Sequence, residues 1–226
     1  MIEGIRDIVI FGSGGLAREI LQLIEDINEY NMGAKSLNFL GFLDGDISNH
    51  ENIVNGYKVL GGVEWLEENS NTLVVIAVGS PASKRKVFLQ IKENTRAEFA
   101  TLIHPKALVG RFNEIGAGTV ICAGTILTSN IKVGEHVILN LNCTVGHDTI
   151  IENYVTVAPG ANISGNCLIK EGVDFGTAAS IIQGRTIDRW SIIGAGSVVV
   201  KDVLANSTSV GNPSKVIKER EVSWYL

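Results

Sequence analysis

The chain has 226 residues, 45% of them hydrophobic and 19% charged, enough to bury one large core or two modest ones. A formal net charge of −5 argues against a nucleic-acid partner, which normally needs a basic face. No apolar stretch approaches a membrane span, and the start, MIEGIRDIVIFGSGG, lacks the charged, apolar, small pattern of a leader. Three cysteines at unrelated spacings make neither a disulfide framework nor a zinc knuckle, so a cytoplasmic protein is expected.

The first hundred residues read as a small α/β domain. DIVIF (7–11) predicts a buried strand, followed at once by GSGGLA and a helix carrying Leu16, Ile20, Leu23, Ile24 and Ile27 at helical spacing. A second strand is predicted at 39–43 and a third at 73–78, with a short helix over Val63–Asn69 between them. Alternating strands and helices make a parallel, Rossmann-like unit. Gly12, Gly14 and Ala17 match G-x-G-x-x-A in the strand-to-helix setting, where glycines let a phosphate approach the helix N-terminus. Asp44, at the tip of the second strand, is placed to accept hydrogen bonds from a ribose or a base. Only one mononucleotide-binding half fits before the next domain, which favours a nucleotide-sugar or another phosphorylated ligand over NAD. A tight turn that merely starts the helix is the plain alternative.

From Ile103 the pattern changes to a repeat. Every sixth residue is apolar, from Ile103, Val109 and Ile115 through Val145, Ile151 and Val157 to Ile187 and Ile193, without a slip. The second hexad position is glycine at 110, 116, 134, 146, 176 and 194. The fifth is small or β-branched, as in Thr119, Thr125, Cys143, Val155, Ala161 and Ala179. Strand alternation puts positions one and five inside and position three outside. Three six-residue sides make an 18-residue coil, so residues 101–226 are expected to form an all-β parallel solenoid with a closing segment.

Four histidines are available as bases. His50 sits in a polar loop and reads as solvated, and His104 before Pro105 reads as a capping or packing residue. His136 follows Glu135 at the fourth hexad position. His147 is at the outward third position and is followed by Asp148, a carboxylate able to orient the ring and stabilise the imidazolium. Asn140 and Asn142 are nearby polar groups. Cys143 and Cys167 face inward and all three cysteines read as small core or wall residues, and the sequence contains neither a G-x-S-x-G elbow nor a metal-ligand cluster.

IGAGTV (115–120) and IGAGSV (193–198) resemble the hexapeptide-repeat acyltransferases. That resemblance implies left-handed coiling and a homotrimer. FLDGD (42–46), IAVGS (76–80), IHPKA (103–107), GHD (146–148), APGANISGN (158–166) and GNPSK (211–215) extend the similarity over essentially the whole chain. They resemble the bacterial sugar acetyltransferases, which include UDP-4-amino-sugar and GDP-perosamine N-acetyltransferases and sialic acid O-acetyltransferases. The resemblance implies an acetyl-CoA donor, no metal, and direct transfer with His147 as general base. Asp148 raises its basicity, and Asn140 matches the family asparagine seven residues before the base. It implies that Gly12, Ser13, Gly14, Gly15 and Asp44 hold the nucleotide-linked sugar acceptor. Gly165, Thr177, Ala195 and Lys215 are implied to meet coenzyme A. Two positions depart from the family: Leu16 stands where a glycine-loop histidine is common, and Thr156 where a cofactor-contacting histidine is. O-acetylation of a sugar hydroxyl and a non-catalytic ligand-binding solenoid remain as alternatives.

Overall fold

The computed structural model describes residues 4–31 and 36–226. The first three residues, part of the stretch read for a leader, lie outside the described residues. Two compact units are present, one of residues 1–79 with 83–105 and one of residues 106–226 with 80–82.

In the first unit a sheet of order β3-β4-β2-β1-β5-β6 forms. Its strands are β1 (Arg6–Phe11), β2 (Leu37–Leu43), β3 (Ile53–Val54), β4 (Tyr57–Gly61), β5 (Leu73–Ile76) and β6 (Glu98–Phe99). The pairings of β1 with β2 and β5, of β2 with β4 and of β5 with β6 are parallel. Ile8, Val9, Ile10 and Phe11 are buried in succession, as a parallel strand covered on both faces requires. Helix α1 (Gly15–Tyr30) buries Ala17, Ile20, Leu21, Leu23 and Ile24. Helix α2 spans Glu64–Glu68 and α3 spans Pro81–Asn94.

The sequence reading missed β3, β4, α3 and β6. The β3–β4 hairpin turns on Asn55 and Gly56, both at positive φ, a two-residue turn whose Asn-Gly signature is visible in the sequence. Helix α3 begins at Pro81, a proline suited to a first helical position.

The second unit is a parallel β-helix. Two-residue strands stack at 18-residue intervals on three faces. The first face includes Val120–Ile121, Ile138–Leu139, Thr156–Val157, Asp174–Phe175 and Ile192–Ile193. The second runs from Leu108–Val109 through Ile126–Leu127, Thr144–Val145, Asn162–Ile163 and Ser180–Ile181 to Val198–Val199. The third runs from Glu114–Ile115 to Thr186–Ile187. First-position side chains such as Leu139, Val145, Ile151, Val157 and Ile163 fill the interior with fifth-position Val137, Cys143, Val155 and Ala161. Buried fifth-position threonines donate inside the wall, Thr119 to the Gly134 carbonyl at 2.8 Å and Thr125 to that of Asn140 at 2.8 Å. Every buried hydroxyl so bonded avoids a desolvation cost of about 1–3 kcal/mol.

Each corner is made at the fourth hexad position. From Phe112 to Gly196 these residues all have positive φ, including Asn130, Asn142, Asp148, Asn166, Tyr154 and Trp190. The second-position glycines have a different cause. A methyl group at Gly146 would stand 2.4 Å from the Gly165 backbone nitrogen, so close approach of adjacent coils excludes a side chain there. At the far end, Ser207–Val210 adds in parallel to Ile192–Ile193, and Lys215–Glu219 returns antiparallel beside it. No helix among the described residues is long and apolar enough to cross a membrane.

Candidate active site

In the β-helix, His147 occupies the corner that follows the second face. Hydrogen bonds between coils hold its backbone: Asn166 N–H donates to the His147 carbonyl at 2.7 Å, and Asp148 N–H to that of Ser129 at 3.1 Å. Thr149 anchors the same corner from inside, donating to the Ser164 carbonyl at 3.1 Å. The side chain projects outward, about half exposed, with Nδ1 2.8 Å from Asp148 Oδ2. A carboxylate accepts only, so this contact places the proton on Nδ1 and leaves the Nε2 lone pair unused. Asp148 reaches back to its neighbour because it is itself the left-handed corner residue, φ 58°, a conformation aspartate tolerates.

The imidazole lies against Gly165 of the next coil, where an added methyl would be 2.6 Å from Nε2 and 2.8 Å from Cε1. Gly165 N–H donates to no protein acceptor among the described residues. Thr177 and Ala195 are also third-position residues with uncommitted N–H groups, stacked one coil apart on the preceding corner; Gly196 N–H donates to the Thr177 carbonyl at 2.8 Å. Beside them nothing stands within 4 Å of a methyl group built on Gly160 or Gly196. Gly165 on one corner and Thr177 and Ala195 on the preceding one thus each carry a backbone donor with no protein acceptor among the described residues. Lys215 is exposed at the start of the closing strand.

Two other positions fall elsewhere. Asn140 lies at the corner after the first face, and its Oδ1 accepts from Leu141 N–H at 2.7 Å. Seven residues is one more than a hexad, so the strand Thr144–Val145 separates it from His147 within one chain. Thr156 is in the first-face strand and only 8% exposed.

The cysteines are wall residues. Burial pushes the Cys143 thiol up to about 11, and burial likewise raises Cys167, so neither supplies a thiolate near neutrality. His136 is buried and stacked on Tyr154 with ring centroids 5.9 Å apart. His104 is buried and bonded to Asp26 on α1 at 2.7 Å, a packing role. No group of metal-ligating side chains is found among the described residues.

The first unit carries a second cluster. Gly12, at φ 116°, ends β1 so close to β5 that a methyl would be 2.8 Å from the Ala77 carbonyl oxygen. Strand order reverses between β2 and β5 around β1, the place where open α/β sheets bind ligands. Gly14 caps α1 without any side-chain hydrogen bond, leaving the first-turn N–H groups of Gly15 and its successors open. Ser13 Oγ donates to Asp44 Oδ2 in a short hydrogen bond, and Asp44 Oδ1 accepts from Asp46 N–H at 3.0 Å. The glycine loop and the tip of β2 are thus joined. His50 differs from the sequence reading: it is half-buried, with Nε2 2.9 Å from the Asp44 carbonyl oxygen, because the 3₁₀ turn Ile47–Asn49 folds the loop back on the strand tip.

A glycine-loop α/β unit followed by a β-helix bearing a carboxylate-oriented histidine defines an acyltransferase of the hexapeptide-repeat class. Residues 7–91 match the PglD N-terminal domain. Over 225 residues the chain is 30% identical to GDP-perosamine N-acetyltransferase of Escherichia coli O157:H7, covering 95% of this chain and 97% of that protein. The acetyltransferase domain of PglB from Neisseria gonorrhoeae FA1090, solved with acetyl coenzyme A, superposes with TM-score 0.81 at 28% identity, covering 95% of this chain and all of that one. PerB from Caulobacter crescentus, solved with CoA and GDP-perosamine, shares the fold at TM-score 0.83 and 24% identity, over 95% of this chain and 99% of that one. The chain belongs to the bacterial sugar acetyltransferases that join a PglD-type domain to a left-handed β-helix.

Proposed function

We propose that the protein transfers an acetyl group from acetyl-CoA to the amine of a nucleotide-linked amino sugar, with His147 as general base. The observation that carries the reading is the His147 ring, held by Asp148 through Nδ1, with Nε2 uncommitted beside the free N–H of Gly165. Acetyl-CoA supplies an activated acyl carbon in a thioester. Nε2 takes the proton of the attacking amine, Asp148 stabilises the resulting imidazolium, and Gly165 N–H donates to the developing oxyanion. No acyl-enzyme is needed, in keeping with the protonated, inward-facing thiols.

The free donors at Thr177 and Ala195 suit the pantetheine amides, and Lys215 suits a CoA phosphate. Gly12, Ser13, Gly14, Gly15 and Asp44 suit the acceptor nucleotide, its phosphates at the α1 N-terminus and its ribose or base at Asp44. The Escherichia coli relative, 30% identical over nearly the whole chain, is a GDP-perosamine N-acetyltransferase, which supports a nucleotide-linked amino sugar as acceptor. We assign a homotrimer in the cytoplasm. Leu108 and Ile126, 64% and 38% exposed on the second face, are apolar surface that such assembly would cover.

Thiol release from acetyl-CoA, measured against a panel of nucleotide amino sugars and hydroxyl analogues, tests the reading. Amine-dependent release supports it, hydroxyl-only release turns it into O-acetylation, and release with neither class rejects transfer to sugars.

A further inference from the structure

The corner that carries His147 continues down the β-helix in register. Val145 pairs with Ile163 and Ile163 with Ile181, so the third-position residues His147, Gly165 and Gln183 stand at successive levels. Corner hydrogen bonds keep them there: Asn166 N–H donates to the His147 carbonyl at 2.7 Å, and Gly184 N–H to that of Gly165 at 3.1 Å. Two coils separate His147 from Gln183, roughly 10 Å at about 4.8 Å per coil.

The middle level has no side chain. The His147 ring leans into that gap, its Nε2 2.6 Å from where a methyl on Gly165 would be. The base therefore stands two levels from Gln183 in one column, with no side chain at the level between them. Gln183 is exposed and its carboxamide makes no hydrogen bond with any described residue. An exposed, uncommitted amide on a four-bond side chain, in the same column as the base and one glycine level away from it, can serve as a donor within reach of the reacting centre.

We propose that Gln183 binds the thioester carbonyl, its side-chain N–H donating to the acyl oxygen opposite His147 and sharing the oxyanion with Gly165 N–H. This rests on the reading of His147 as base. As the amine nitrogen bonds to the acyl carbon, the carbonyl π pair moves onto oxygen between these two donors. Collapse expels the CoA sulfur as the leaving group, and the amine's proton passes to His147 Nε2. Gln183 gains and loses no proton. Loss of one oxyanion donor typically costs about 10²–10³ in kcat.

The test has two arms. In Gln183→Ala, kcat is expected to fall at least tenfold while KM for acetyl-CoA stays within about threefold; a smaller fall in kcat overturns the proposal. Independently of turnover, infrared difference spectra of [¹³C-carbonyl]acetyl-CoA bound to the wild-type protein without acceptor should show a lowered carbonyl stretch, moving back toward the free value in Gln183→Ala. An unmoved stretch overturns the proposal even where kcat falls, since the loss would then be structural. Failure of the underlying reading looks different: His147→Ala would retain activity, whereas failure of the present proposal leaves His147→Ala inactive while at least one of the two Gln183→Ala readouts stays unchanged.

Discussion

The His147 imidazole lies against the backbone of Gly165, eighteen residues further along the chain, at a distance that leaves no room for a side chain: a methyl group would meet Nε2 at 2.6 Å. The glycine is needed for the ring's pose and not for its own backbone, since its φ lies outside the left-handed region. Gly165→Ala is accordingly expected to displace the ring and lower kcat by about 10²-fold or more, within the range for loss of a general base. Its thermal midpoint should change little, because the methyl enters at the surface corner. Calorimetry alongside kinetics checks both halves.

Asp148 is expected to act through its carboxylate alone. Asparagine tolerates the left-handed corner as well as aspartate does, so Asp148→Asn keeps the backbone while allowing the wrong imidazole tautomer. Turnover should fall by up to about 10⁴-fold, the upper end for carboxylates that hold a catalytic tautomer. A pH–rate profile of the variant should show the loss across the whole range and no recovery at high pH.

The bond from Ser13 to Asp44 fixes the glycine loop to the end of β2. Asp44→Ala removes a charged acceptor, an interaction class worth about 1.5–3 kcal/mol, and should raise KM for the nucleotide sugar by roughly 10–100-fold. Little change in kcat is expected at saturation. A fall in kcat with unchanged KM would place Asp44 outside acceptor binding.

The buried thiols make a pH prediction with a definite sign. Cys143 has its folded value raised from 9.0 to about 11 by burial, and Cys167 is raised for the same reason. Below pH 9 folded and unfolded chains both hold these protons. Between 9 and about 11 the unfolded chain loses them first, so this stabilisation disappears as pH rises through that window. Urea midpoints should drop more steeply between pH 9 and 11 in the wild type than in Cys143→Ala. A thiol reagent at pH 8 should leave both residues unmodified until denaturant is added.

Gly172 carries two constraints at once. Its φ is 68°, and a methyl group would stand 2.1 Å from the Trp190 ring, which is itself stacked on Tyr225 at 4.1 Å. Gly172→Ala should cost about 1–3 kcal/mol from overpacking, lowering the melting temperature by several degrees. Intrinsic tryptophan fluorescence should report the shift of Trp190.

Periodicity alone determined much of this protein. Position one is apolar and position five mostly small or β-branched because both point into a narrow coil, so the solenoid and its outward third position were legible from Ile103 onward. His147 followed from the same frame, and the strand–glycine–helix order marked Gly12 to Gly15. The left-handed fourth position was only partly legible: Gly, Asn and Asp, which tolerate positive φ, hold most of the corners, but Phe112, Tyr154, Ala178 and Trp190 carry no such signal. Spacing did not place Asn140, whose face depends on how six residues bend around each corner. The Ser13–Asp44 bond, the fold-back of His50 and the column of His147, Gly165 and Gln183 each join residues 18 or more apart, or across a loop. Such contacts depend on strand order and coil stacking, which only the tertiary structure decides.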